Sequence, residues 1–151
     1  MGYQDSLFAE AFRQFYRDCD ISGTVDFIFG SAAAVFPNCN LLLRRPVNDN
    51  VILANGRNHP EHDTGFSLHR FKITSTHEFY SVRHSYRKTP KTLYFVEYAN
   101  YGAGASTSKR VQWSGYHVFG SREASESAIE NFIAGDLWIP STGVPFSAGL
   151  R

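Results

Sequence analysis

Two aspartates stand 21 residues apart near the start of the chain: Asp5, in Gly2-Tyr-Gln-Asp5, and Asp26, in Gly23-Thr-Val-Asp-Phe-Ile-Phe-Gly30. If the chain stacks on itself with a period of about 20 residues, these carboxylates fall on adjacent turns, with backbones about 4.8 Å apart. Two carboxylates that close cannot both keep ordinary pKa values, so one stays ionised as a nucleophile while the other holds a proton to donate. That is acid/nucleophile chemistry without a metal, a cofactor or a histidine. Spacing alone better suits two aspartates that merely cap turns, as most loop aspartates do. Their neighbours favour chemistry. Asp26 lies between Val25 and Phe27-Ile28-Phe29, where an idle carboxylate is costly unless paired. Gln4 offers an amide donor for a developing oxyanion. Phe29, Tyr3 and Phe8 are candidates for a surface that stacks on a sugar ring, although each also suits a core.

Other reactive residues fit chemistry less well. His59 and His62 lie near Glu61 and Asp63 in a Pro-containing loop, which lacks the helix or strand that would hold a metal, so a solvated turn is expected. Cys19 and Cys39 allow at most one disulfide and no four-ligand zinc site. At equivalent inward positions they are expected as stacked thiols, with a disulfide as the alternative.

The elements that must position the aspartates are short strands. Phe15-Tyr-Arg-Asp-Cys-Asp-Ile21 and Val35-Phe-Pro-Asn-Cys-Asn-Leu41 repeat at a spacing of 20, and Phe66–Ile73 reads as a third copy with Phe71 in the cysteine position. Val25–Phe29, Asn50–Leu53 and Thr92–Glu97 are β-rich runs bounded by Gly, Asn, Asp or Pro. Repeats of this length that cannot bury their own apolar face stack on their neighbours, which points to a parallel β-helix, with an antiparallel sandwich as runner-up. Residues 74–91 lack periodicity and read as a loop or junction. Ala99–Ser108 reads as an extended Gly-rich loop. Residues 121–135, opening on Ser121 and ending at Gly135, read as a short capped helix. Trp138, Pro140, Pro145 and Phe146 then form a coil tail packed on the body, and no linker divides residues 1–151 into two domains.

Composition narrows the partners. The chain has 151 residues, 42% hydrophobic and 19% charged, enough apolar surface for a core and too little charge for a disordered tail. A net charge of +1 lacks the electrostatic footprint of a protein that lives on nucleic acid or an anionic membrane. No apolar run approaches the roughly 18 residues of a membrane span, and no export signal follows Met1.

With these residues in place, the chain resembles the plant-type pectin methylesterase (pectinesterase) family. GYQD and GTVDFIFG within residues 2–41, LANGR followed by DTG at 53–65, and the stretches 92–119 and 131–150 are similar to the family's central and C-terminal parts. The resemblance implies a right-handed parallel β-helix that hydrolyses methyl esters of cell-wall homogalacturonan. Asp26 would be the nucleophile, Asp5 the acid/base, Gln4 an oxyanion donor, and Phe29 with Tyr3 would contact substrate. It implies an extracellular, cell-wall location, pectin as partner, a proteinaceous pectinesterase inhibitor as a further one, and a monomer.

Two departures from the family stand out. No upstream Gln precedes GYQD, and no LGRPW segment lies between the DTG region and Thr92-Leu93, so residues 1–73 and 92–150 are family-like around an atypical junction at 74–91. The family's LGRPW arginine holds the nucleophilic aspartate and its tryptophan lines the cleft. A buried Asp26 without that arginine is expected to titrate high and attack weakly. The expectation is a truncated, internally deleted pectinesterase with impaired activity. The alternative is a non-catalytic pectin-binding remnant or a gene-model fragment.

Overall fold

The structure, a computed structural model, describes residues 2–46, 50–75, 94–108 and 114–149. Successive turns of chain supply one strand to each of three sheets. The first turn contributes β1 (Leu7–Phe8), β2 (Arg13–Phe15) and β3 (Asp20–Gly23). The second contributes β4 (Ile28–Gly30), β5 (Ala33–Pro37) and β6 (Asn40–Leu43). The third contributes β7 (Leu53–Asn55), β8 (Gly65–His69) and β9 (Lys72–Ser75). β10 (Phe95–Tyr98) and β11 (Tyr116–Val118) extend the second sheet. The sheet orders are β1-β4-β7, β11-β10-β8-β5-β2 and β3-β6-β9, every pair parallel. This is the expected right-handed parallel β-helix, in which each turn serves as the crossover that parallel strands need.

The sequence repeat is visible as register. Asp20 pairs with Asn40 and Asn40 with Lys72, which places Cys19, Cys39 and Phe71 one above another in the cysteine position. Lys72 also bridges to Tyr101, adding residues 95–101 as a fourth copy that the sequence pattern does not reveal, because no cysteine marks it. The corner between the second and third sheets is built from Asp18, Asn38, Arg70 and Ala99, all left-handed with φ from 50° to 56°. Backbone bonds from Asn38 N–H to His69 C=O at 3.0 Å and from Arg70 N–H to Tyr98 C=O at 2.8 Å tie these corners together.

The interior is aromatic. Phe27, Phe36, Phe66 and Phe71 are fully buried, and Tyr16 stacks on Phe36 with centroids 4.9 Å apart. Cys19 and Cys39 are free thiols, as expected of stacked inward positions. The buried Cys39 Sγ–H donates to the Tyr16 carbonyl at 3.2 Å. β8 is buried along its whole length, since its inward residues face this core and its outward ones lie beneath the C-terminal segment. That continuous burial takes in two polar residues of β8, Ser67 and His69.

The C-terminal segment is less regular than a single capped helix. α1 (Ser121–Ala124) and α2 (Ile129–Ile133) are separated by a 3-10 turn and by extended Ala128, ψ 165°. The break lets the Ser127 carbonyl accept a hydrogen bond from Ser67 Oγ at 2.9 Å while Ile129 and Ile133 reach the outer face of β5. Ser121 is not the cap, which is Gly120 without a side-chain bond, and the left-handed stop is Ala134 rather than Gly135. Gly135 is required for space, because a Cβ there would lie 2.3 Å from Ile129 Cγ2. The tail packs as expected: Ile139 is buried and Phe146 meets Phe15 edge-on. The Gly-rich stretch folds back against β9 rather than extending, with Gly104 N–H bonded to Ile73 C=O at 3.0 Å. Most of the expected junction, residues 76–91, lies outside the described residues.

Candidate functional site

The two aspartates sit at matching positions on successive turns. β1 and β4 pair Leu7 with Ile28 and Phe8 with Phe29, so the register carries back to Asp5 and Asp26, and Asp5 N–H bonds the Val25 carbonyl at 3.2 Å. Both are left-handed, at φ 52° and 48°, a conformation that Asp tolerates better than most residues because its short polar side chain bonds locally. The left-handed Asp26 delays the strand, which begins at Ile28 instead of Val25.

The two glycines of GTVDFIFG hold this turn. A Cβ on Gly23 would lie 2.2 Å from Phe27 Cβ, and one on Gly30, whose φ is +118°, would lie 2.0 Å from the Ala9 carbonyl oxygen. Neither position accepts a side chain without moving backbone. Between them Phe27 and Ile28 are fully buried and anchor Asp26 at the rim of the core. Thr24, also fully buried, donates its N–H to the Tyr3 carbonyl at 3.1 Å, binding the GYQD turn to the one below.

Asp5 is exposed and Asp26 half-buried. The expected full burial of Asp26 is therefore not observed. Asp26 has an interaction partner. Gln4 lies exposed beside Asp5. Phe29 stacks face to face on Phe8, with centroids 4.7 Å apart and planes 10° from parallel, and Phe8 is 54% exposed. This pair forms an open aromatic surface on the first sheet, three residues beyond each aspartate. Tyr3 is exposed too, but its hydroxyl reaches toward the Arg45 carbonyl at 3.5 Å, and the ring partner of Phe29 is Phe8. The equal spacing of Asp5 to Phe8 and Asp26 to Phe29 was the available sequence signal for that partnership.

The histidine loop is a solvated turn. His59 and His62 have ring centroids 5.1 Å apart and His59 Nδ1 is 3.5 Å from Glu61 Oε1, all exposed. Arg57 closes the loop by donating to the carbonyls of His59, Pro60 and Thr64. Among the described residues no three His, Cys, Asp or Glu side chains converge to hold a metal.

Comparison with known proteins adds a family context. The pectinesterase family profile matches residues 1–90 and 82–136. A probable pectinesterase/pectinesterase inhibitor of Arabidopsis thaliana, number 36, is 43% identical over 187 residues, covering 99% of this chain and 36% of its own length. Pectinesterase 2 of Citrus sinensis is 40% identical over 186 residues, again covering 99% and 36%. Both alignments are longer than the 151-residue chain, so the relatives carry residues within the matched span that this chain lacks. Among solved structures, pectin methylesterase from carrot superposes with a TM-score of 0.83 at 36% identity, over 99% of this chain and 59% of that one. An Aspergillus niger pectin methylesterase, at TM-score 0.63 and 19% identity, shares the fold. The chain thus spans about a third of the curated relatives' length.

Proposed function

The chain belongs to the pectinesterase family, and from that premise we propose that it carries the catalytic turns of a carboxylic ester hydrolase acting on methyl-esterified homogalacturonan in the extracellular cell wall. The observation that supports this reading is the in-register stack of Asp5 and Asp26 beside the open Phe8–Phe29 surface.

In the proposed reaction, the Asp26 carboxylate attacks the ester carbonyl carbon and the carbonyl oxygen becomes an oxyanion, to which the Gln4 amide donates a hydrogen bond. Collapse expels methoxide, which takes its proton from Asp5 and leaves as methanol. Asp5, now ionised, removes a proton from water as that water attacks the acyl-Asp26 anhydride. This frees the galacturonate carboxylate and restores both aspartates. The sequence of steps requires Asp26 as the attacking carboxylate and Asp5 as the proton donor. Phe29 and Tyr3 would present ring faces to the sugar, with Phe8 extending the Phe29 surface.

Activity is proposed to be impaired, because the LGRPW arginine and tryptophan have no counterpart in the chain. Misplacing a reacting group by about 1 Å costs about 10²-fold in rate, the scale expected when a positioning group is lost. The same absence favours a second reading, a pectin-binding remnant without turnover. Pectin is the proposed partner in either case, and a proteinaceous pectinesterase inhibitor a further one. Methanol release from methylated pectin decides between them. Slow release abolished by Asp26→Asn supports the impaired esterase, binding with no release supports the remnant, and turnover equal to a complete relative refutes impairment.

A further inference from the structure

The outer face of the second sheet carries a cavity of about 200 Å³ in which, among the described residues, no lining residue belongs to the first sheet, where the aspartate pair stands. Its floor is the outward end of β2, β5, β8 and β10, its rim is the left-handed corner with Asn38 and Arg70, and its far wall is the tail around Phe146. Among the described residues, two guanidinium groups, Arg17 and Arg70, line it together with the Asn38 amide, and no Asp or Glu does. Arg17 is held in place: its Nε is 2.8 Å from Asp18 Oδ2, and it donates to the Pro145 carbonyl. A guanidinium has five N–H donors, so these two contacts leave others to face the cavity. Tyr98 meets the His69 ring edge-on at 5.9 Å, and Phe146 meets Phe15 the same way at 6.5 Å, so aromatic rings form part of the remaining walls, beside Pro37 and Ile129.

We propose that this cavity is a second saccharide site that binds a single carboxylate-bearing sugar ring of de-esterified galacturonan. The inference rests on the esterase reading for the identity of the polymer. The volume is below the roughly 300–1,000 Å³ of pockets for larger ligands, which limits the site to about one ring. Arginine's planar fork matches a carboxylate, the Asn38 amide suits sugar hydroxyls, and the aromatic walls suit the apolar face of a pyranose. A methyl ester has no charge to pair with either guanidinium, so the site prefers the product of the reaction to its substrate. The chain would then be anchored through rings already de-esterified while the aspartate pair works on another part of the polymer.

The test is a binding titration followed by NMR amide shifts, using trigalacturonic acid and its fully methyl-esterified form on the full chain. The acid is expected to shift residues 69–70, 98 and 146, to bind at least tenfold tighter than the ester, and to weaken as salt rises. Arg70→Asn, which keeps a residue tolerant of the left-handed corner, is expected to weaken it at least tenfold, and Tyr98→Leu severalfold. Asp26→Asn should leave it unchanged. Equal binding of the two forms, insensitivity to both Arg70→Asn and salt, or loss in Asp26→Asn would overturn the proposal. So would full displacement by inorganic sulfate with Tyr98→Leu unaffected, the mark of a simple anion site. Absence of methanol release with this Arg70-dependent binding intact would remove the esterase reading and leave the site standing.

Discussion

Asp5 and Asp26 share one backbone conformation, φ 52° and 48°, one above the other on successive turns, and Asp5 N–H bonds the carbonyl of Val25 just before Asp26. Conformation and chemistry can therefore be separated by mutation. Asn accepts the left-handed region nearly as well as Asp, whereas Ala there costs about 1–2 kcal/mol. Asp26→Asn and Asp5→Asn are expected to unfold in urea near the wild-type midpoint while losing methanol release. Asp26→Ala is expected to lose both release and about 1 kcal/mol of stability. Full turnover in either Asn variant would remove the aspartate mechanism.

Gly30→Ala should be far more damaging than an ordinary Gly→Ala change. The new Cβ would meet the Ala9 carbonyl oxygen at 2.0 Å, at a φ of +118° that L-residues avoid. A loss of about 3 kcal/mol or more is expected from overpacking and backbone strain together. Gly143→Ala, at φ 74° with nothing within 4 Å of the added Cβ, is the control and should cost only about 1–2 kcal/mol. Equal midpoints for the two variants in urea would contradict the close-approach argument.

Burial lowers the His69 pKa to about 4. The unfolded chain binds this proton near pH 6.5, whereas the folded one resists it down to about 4. Stability from this group is therefore full above about 6.5 and is lost as pH falls toward 4, by up to about 3 kcal/mol. His69 Nε2 lies 2.8 Å from Ser67 Oγ, and Ser67 Oγ in turn donates to the Ser127 carbonyl. Acid should therefore loosen the C-terminal segment. Melting temperatures measured from pH 7 to 4 are expected to fall less steeply in His69→Gln than in wild type, and parallel curves would refute the assignment.

Burial pushes the Cys39 thiol up to about 12. At pH 8 only about one molecule in 10⁴ then carries the reactive thiolate. A thiol reagent at that pH should leave Cys39 unmodified in the folded chain and titrate it only in denaturant, whereas half-buried Cys19 reacts first. Modification of both at equal rates under native conditions would contradict the buried, stacked placement.

Ser67→Ala removes the donor to the Ser127 carbonyl, itself on a buried residue. Leaving that buried polar contact unmade should cost about 1–3 kcal/mol. Protease cleavage within residues 121–149 is expected to speed up, with the β-helix body spared. Unchanged cleavage would show that apolar packing alone holds the segment.

Much of this protein was legible in its sequence because a stacked solenoid writes its register into its spacing. The interval of 20 between the cysteines is the pairing of β3 with β6, and the interval of 21 between the aspartates is that of β1 with β4. The position of Phe71 in the third copy could be read the same way, since a stacked position accepts an aromatic ring in place of a thiol. What spacing could not carry was decided by contacts between residues distant in the chain. The 121–135 stretch has the composition of one helix, yet it breaks at Ala128 because Ser127 must reach Ser67 while α2 covers β5. The cavity under Arg17 and Arg70 exists only where the tail closes over the corner, joining residues more than a hundred positions apart. Local periodicity determined which residues stack. The meeting of the tail with the sheet, which depends on shape rather than period, was decided by the tertiary structure.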